Sequence, residues 1–196
     1  MKDYIRKLRP VLDKENKFLF FGNHKAGLTS VNRTLLKDRV INWKSFKKNY
    51  YKEFDKYSDE EIQNMFKFTI VRNPFDRLVS AFFYLRKHNI IPKKEFIDFI
   101  KQDIAVKGPD VDPHVHFQYP SAYYEKNVFV DYIARLENIE NDWKVIASSI
   151  GCPPKLPHRN RTNHKPYQQY YDKESVEIVK EIYRLDIRWF GYRFEK

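Results

Sequence analysis

The chain has 196 residues, 42% of them apolar and 17% aromatic, and a formal net charge of +11 at pH 7. A chain of that size and apolar content buries roughly 70% of its unfolded surface, which excludes a disordered tail or a mini-protein held by staples. A single cysteine, Cys152, excludes an intrachain disulfide and reads as a small filler beside Pro153 and Pro154.

The segment Met1 to Leu8 is charged and lacks the apolar centre of a signal peptide, and no run is long enough to span a bilayer. A cytoplasmic location is the simple expectation; a luminal domain without its anchor is the alternative, and the low cysteine count argues against it. The positive charge fits an anionic partner (nucleotide, polyanion, nucleic acid or membrane surface) or merely a solvated lysine-rich surface.

In chain order, the apolar run Lys17 to Phe21 reads as a buried strand ending at Gly22. A loop to Gly27 follows, then a helix over Thr29 to Leu36 with Thr29 or Ser30 as its cap. Asn42 to Tyr57 is basic and aromatic and carries no clear period. Ser58 followed by Asp59, Glu60 and Glu61 is a helix start. Phe66 to Val71 predicts a second buried strand, and Asn73-Pro74 opens a helix to about Lys87 with Leu78, Val79, Phe82 and Leu85 on its apolar side.

A short helix is expected over Lys94 to Asp103, a loop over Lys107 to Pro120 and a third strand over Val128 to Ile133. Helices over Asn138 to Ser149 and Lys173 to Leu185 flank a polar, basic loop from Lys155 to Tyr170, and Phe190, Tyr192 and Phe194 alternate at the end. Strands alternating with helices predict an α/β chain: a P-loop-type three-layer fold with a central, mostly parallel sheet flanked by helices. No repeat or composition shift marks a boundary, so residues 1–196 are expected to form one domain.

Two segments carry chemistry. The first, Gly22 to Ser30, lies between a strand and a helix, where backbone amides and the helix start cradle phosphate. Compared with the nucleotide-triphosphate loop G-x-x-x-x-G-K-[ST], Gly22, Gly27 and Thr29 fit, but Leu28 replaces the lysine, which stands three residues earlier as Lys25. The phosphate cradle is kept and the point charge has moved, which suits a different phosphate donor. The second segment runs from Val71 to Ser80. Arg72 falls at the C-terminal end of a strand, where open α/β sheets bind ligands. Arg77, Ser80 and Tyr84 share a helix face by spacing, and an arginine fork with a hydroxyl suits a terminal phosphate. Pairing of Arg72 with Asp76 as a local cap is the competing reading.

Together these segments resemble the two signatures of the membrane-type carbohydrate sulfotransferases and their bacterial relatives. Their K-x-G-x-T-S loop is matched by Lys25, Ala26, Gly27, Leu28, Thr29 and Ser30, and their V-R-[ND]-P-x-x-R-L-x-S segment by Val71 to Ser80. His114 and Gln118 look like the family's H-x-x-x-Q element, and weaker likeness extends from Phe18 to Phe194. Asn23-His24 departs from the family, which has a hydrophobic residue and proline before the lysine.

The resemblance implies transfer of a sulfuryl group from 3′-phosphoadenosine 5′-phosphosulfate (PAPS) to a carbohydrate hydroxyl, releasing the 3′,5′-bisphosphate PAP, with no metal required. It implies that Lys25 to Ser30 grip the 5′-phosphosulfate and that Arg72 and Ser80 grip the 3′-phosphate. Such transfer rests on positioning and charge stabilisation, with a base for the acceptor proton. His114 is the first candidate base, His116 the second, and His24 is expected to shape the loop. The basic loop His158 to Lys165, including Arg161, is either a cover over the nucleotide or simply solvated. The acceptor reads as a glycan or anionic polysaccharide, with Tyr119, Tyr123, Tyr124, Tyr167, Tyr170 and Tyr171 available for stacking or for packing. The rivals are a P-loop kinase, with Asp131 as its acidic residue, and a non-enzymatic binder of polyanion or nucleic acid.

Overall fold

The computed structural model describes residues 1–13, 15, 17–35, 50–52, 54–156 and 164–195. In chain order its elements are α1 (Lys2–Leu8), β1 (Val11–Asp13), β2 (Phe18–Phe21), α2 (Leu28–Leu35), α3 (Asp59–Asn64), β3 (Phe66–Val71) and α4 (Pro74–Lys87). Then come α5 (Phe96–Asp98), a π-helical stretch (Phe99–Ile104), α6 (Ala105–Lys107), β4 (Tyr123–Tyr124), β5 (Asn127–Val128), β6 (Tyr132–Arg135), α7 (Ile139–Ile150), α8 (Lys173–Ile182) and α9 (Arg184–Phe190). This is a mixed α/β chain with a parallel-dominated sheet. It divides into two compact units. Among the described residues no helix is long and apolar enough to cross a membrane.

The first unit comprises Met1–Asn23, Gly27–Val71 and Pro120–Asn160. Its sheet has the order β1-β2-β3-β6. β2, β3 and β6 run parallel, and β1 pairs antiparallel with β2. Every residue of β2 is buried, as are Lys67 to Val71 of β3, which is the pattern of central strands covered on both faces. Phe20 stacks on Phe68, its register partner, with ring centroids 5.0 Å apart. Helix α7 packs on β6 and β3 through Trp143, Ile146, Ala147 and Ile150. The Ser58 side chain caps α3 and Glu61 bonds back to the Ser58 amide.

In this unit the strand expected over Val128 to Ile133 is two shorter pieces. Phe129 and Asp131 bond through their amides to Ala122 and Lys67, so the chain leaves the β4-β5 hairpin and turns before β6 begins. The Asp131 carboxylate accepts from the Lys67 amide at 2.7 Å. Helix α1 and strand β1 carry no periodic signal in a charged segment. They are held by tertiary contacts, with Ile5 fully buried and β1 zipped to β2.

The second unit comprises His24–Ala26, Arg72–Tyr119 and Arg161–Lys196. Its centre is α4, capped by the Asn73 side chain at the Phe75 amide with Pro74 in the first turn. Leu78, Val79, Phe82 and Leu85 are all buried as their spacing predicts. They pack against Phe96, Phe99, Ile100, Ile104, Val115, Val179 and Tyr183. The short helix after Lys94 runs on to Lys107, with a π-helical middle that turns Phe99, Ile100 and Ile104 inward together. The helix expected over Lys173 to Leu185 breaks at Tyr183, whose hydroxyl donates to the Val115 carbonyl at 2.7 Å. Tyr183 is completely buried, and that anchorage outweighs continuing the helix.

Candidate active site

In the first unit, the loop leaving β2 is tied down by Asn23. Its Nδ2 lies 3.1 Å from Thr69 Oγ1, 3.0 Å from the Ile70 carbonyl and 2.9 Å from Ser121 Oγ. An amide at this position fastens the exit of one central strand to the next, where a hydrophobic residue has no donor. Gly27 adopts φ +79°, a region that costs a side-chain-bearing residue roughly 1–2 kcal/mol. A Cβ there would lie 3.2 Å from Leu136 Cδ1. This turn starts α2 at Leu28, and the amides of Ser30 and Val31 bond to the Gly27 carbonyl. Thr29 and Ser30 are therefore first-turn residues, not the cap, because the reversal at Gly27 comes earlier. Amides ahead of Ser30 in a helix that begins here lack intrahelical acceptors and carry partial positive charge, so the start of this turn offers an anion N–H groups.

The second unit gathers the remaining predicted residues. Lys25 itself adopts φ +64°, uncommon for a residue with a side chain. Its ammonium sits 4.5 Å from the centroid of the Tyr84 ring on α4. Burial, and then the charge of Arg72, push Lys25 down to about 8. The Arg72 guanidinium donates from Nε and Nη2 to Asp76 Oδ2 at 3.0 and 2.8 Å, and from Nη1 to the Lys25 carbonyl at 3.2 Å. The local cap between Arg72 and Asp76 therefore forms, with the third nitrogen of the fork turned toward the lysine. Ser80 is buried one turn beyond Asp76.

His114 lies in a single 3-10 turn, Pro113–Val115, and His116 is the residue that follows it. The turn is begun by Asp112, whose carboxylate accepts from the His114 amide at 2.8 Å and bonds His114 Nδ1 at 2.6 Å. A carboxylate at Nδ1 orients the ring and leaves Nε2 as the nitrogen that takes a proton. The His114 ring packs on Tyr84 at 4.3 Å and on His24 at 4.5 Å between centroids. His24 keeps part of its surface in solvent. Packing of its ring, followed by the charge of His114, nonetheless depresses it to about 4, so it is neutral at pH 7. His116 is exposed, and its carbonyl is bonded by Arg77.

Three residues of this site are absent from the sequence reading in these roles. Asp112 is signalled only by Asp-Pro-His, an Asx-type start to a turn. Gln118, fully buried, brackets the backbone of Arg72, with Oε1 accepting from its amide at 2.9 Å and Nε2 donating to its carbonyl at 2.8 Å. Asp186, also fully buried, accepts from the amides of Gln118 and Tyr119, and burial pushes its carboxyl up. Arg77 is not the ligand-facing residue its spacing suggests. It is 1% exposed, its guanidinium pKa lowered by burial, and it bonds the carbonyls of His114 and His116. Arg161 lies outside the described residues.

The sequence profile described as "Sulfotransferase family" matches residues 7–193. Carbohydrate sulfotransferase 11 of Mus musculus is 25% identical over 182 residues, covering 72% of this chain and 52% of that protein. Carbohydrate sulfotransferase 11 of Rattus norvegicus matches over the same shares. The chain thus spans about half the length of these curated relatives. No solved structure matches it.

Proposed function

The chain belongs to the sulfotransferase family, and from that premise we propose that it moves a sulfuryl group from PAPS to a hydroxyl of a carbohydrate. One observation carries the reading: an Asp112–His114 pair that shares the Tyr84 ring with the Lys25 ammonium. A proton acceptor and a cation on one aromatic side chain are what in-line sulfuryl transfer to a hydroxyl needs.

In this reading His114 Nε2 takes the hydroxyl proton as the acceptor oxygen bonds to sulfur. The bond between sulfur and the bridging oxygen breaks, and its electron pair stays on the 5′-phosphate of the departing PAP. Lys25 neutralises the charge that grows on the bridging oxygen. The loop Lys25-Ala26-Gly27-Leu28-Thr29-Ser30 offers backbone amides and two hydroxyls to the phosphosulfate. Arg72, with Ser80 on the following helix, receives the 3′-phosphate. No step requires a metal ion. The kinase reading loses support because Leu28 stands at the lysine position and the Asp131 carboxylate is bonded to the Lys67 amide.

Calorimetric titration with PAP, against ATP with and without magnesium, tests the donor. We expect metal-independent bisphosphate binding that falls by roughly 10- to 100-fold in Arg72→Ala, the loss of a charge-assisted hydrogen bond or two. In His114→Ala, PAP affinity should stay near the wild-type value while turnover falls by about 10²- to 10⁴-fold. Magnesium-dependent ATP binding with no response to PAP would refute the proposal.

A further inference from the structure

The reaction above uses Lys25, Arg72, Ser80 and His114, yet two buried charges behind them have no part in it. Arg77 and Asp186 are 1% and 0% exposed, and their nearest charged atoms are 3.9 Å apart. Burying a guanidinium and a carboxylate is often less stabilising than filling the same volume with apolar groups, unless further hydrogen bonds satisfy both. The two charges are not joined to each other by a short bond. Arg77 donates from Nη1 to the His114 carbonyl at 3.3 Å and from Nη2 to the His116 carbonyl at 2.6 Å. Between them, the Val115 carbonyl accepts from the Tyr183 hydroxyl at 2.7 Å. Asp186 accepts from the Gln118 amide at 3.0 and 2.9 Å and from the Tyr119 amide at 2.8 Å.

Five backbone groups between positions 114 and 119 are thus gripped by side chains of the core. The Nε of Arg77 has no acceptor among the described residues, so the guanidinium is aimed by the two carbonyls at the expense of its own third bond. The same segment reaches the other half of the site through Gln118, whose amide brackets the backbone of Arg72. A shift of this segment therefore moves the His114 ring and the root of the Arg72 side chain together.

We propose that Arg77 and Asp186 are positioning residues for sulfuryl transfer, holding residues 114–119 by the backbone so that the His114 imidazole and the Arg72 fork stay in register. This rests on the function proposed above. It also assigns the second arginine of the Val71 to Ser80 segment a task other than phosphate binding, because both of its terminal nitrogens are taken up by the His114 and His116 carbonyls.

The test compares Arg77→Lys, which keeps the charge but not the two-carbonyl fork, and Asp186→Asn, which keeps the shape. Three readouts are needed: PAP affinity, turnover from PAPS to an unsulfated carboxylated polysaccharide as the probe acceptor, and the imidazole nitrogen spectrum of histidine-labelled protein. We expect PAP affinity to fall by less than about tenfold, because the Arg72 fork is displaced but kept, and turnover to fall by on the order of 100-fold, the effect of a reacting group misplaced by about an ångström. Arg77→Lys should add nothing to His114→Ala in the double variant. The His114 signal should pass from a single Nδ1-protonated tautomer to an averaged one.

Parallel loss of affinity and turnover would make Arg77 a donor ligand and overturn the proposal, as would multiplicative effects in the double variant. So would an unchanged imidazole spectrum, or unfolding of both single variants. If wild type neither binds PAP nor transfers sulfate, the proposed function falls, and the imidazole spectra alone decide the positioning role.

Discussion

Lys25 is where local conformation and electrostatics meet. Its left-handed backbone turns the side chain onto Tyr84, and burial beside Arg72 brings its pKa to about 8. In the free protein Lys25 loses its proton as the pH rises through that value, whereas a bound dianion keeps it charged. Binding of PAP above pH 8 should therefore take up close to one proton, with affinity falling by at most about tenfold per pH unit. Calorimetry in buffers of different ionisation enthalpy measures the uptake, and Lys25→Arg should abolish it. For stability, the unfolded chain holds more protons than the folded one between pH 8 and 10.5. The cost of burying this ammonium is therefore fully present below pH 8 and relieved as the pH rises through that window. At this scale charge and phosphate-loop spacing, which are local, named Lys25 and Arg72, and the family resemblance named His114. The sequence could not name Gln118 or Asp186 as partners, because what they do is bond groups brought near only by folding, 46 positions away from Gln118 to Arg72 and 68 from Asp186 to Gln118; Asp112, two positions from His114, left only the local signal of its turn.

Elements whose ends are written in side chains were legible: β3 and α4 run over the residues their patterns predict, and α3 begins at its serine. Ser58→Ala should lower stability by about 1 kcal/mol, the usual cost of losing a cap, in urea unfolding, and should leave PAP affinity unchanged. Elements held by distant contacts were not legible. The sequence over Lys173 to Leu185 keeps a helical period straight through Tyr183, and only the bond from its hydroxyl to Val115 explains the break. The same holds for α1 and β1, where burial of Ile5 and pairing with β2 compensate for weak local preference. The π-helical stretch at Phe99–Ile104 likewise follows from the need to bury three apolar residues at once.

Across the whole molecule the excess of 37 lysines and arginines over 26 acids sets how it meets polyanions. Raising salt from 0.1 to 1 M shortens the screening length from about 10 to about 3 Å. Binding of a carboxylated or sulfated polysaccharide should weaken by roughly tenfold or more over that range, while PAP, held by short local contacts, should respond less. Affinity measured by fluorescence anisotropy across a salt series separates the two. Net charge and the mixed α/β class with its mostly parallel sheet were readable from composition and alternation; the division into two units was not, since no change of composition accompanies it. One consequence of the Arg72–Asp76 contact reaches the protein in its natural medium. Every anion arriving at Arg72 meets a carboxylate already in residence at 2.8 Å. A singly charged ion such as chloride or acetate brings no more charge than Asp76 supplies, and it lacks that carboxylate's tether. A phosphate dianion brings more. Arg72 is therefore expected to discriminate against monovalent anions in favour of those of higher charge.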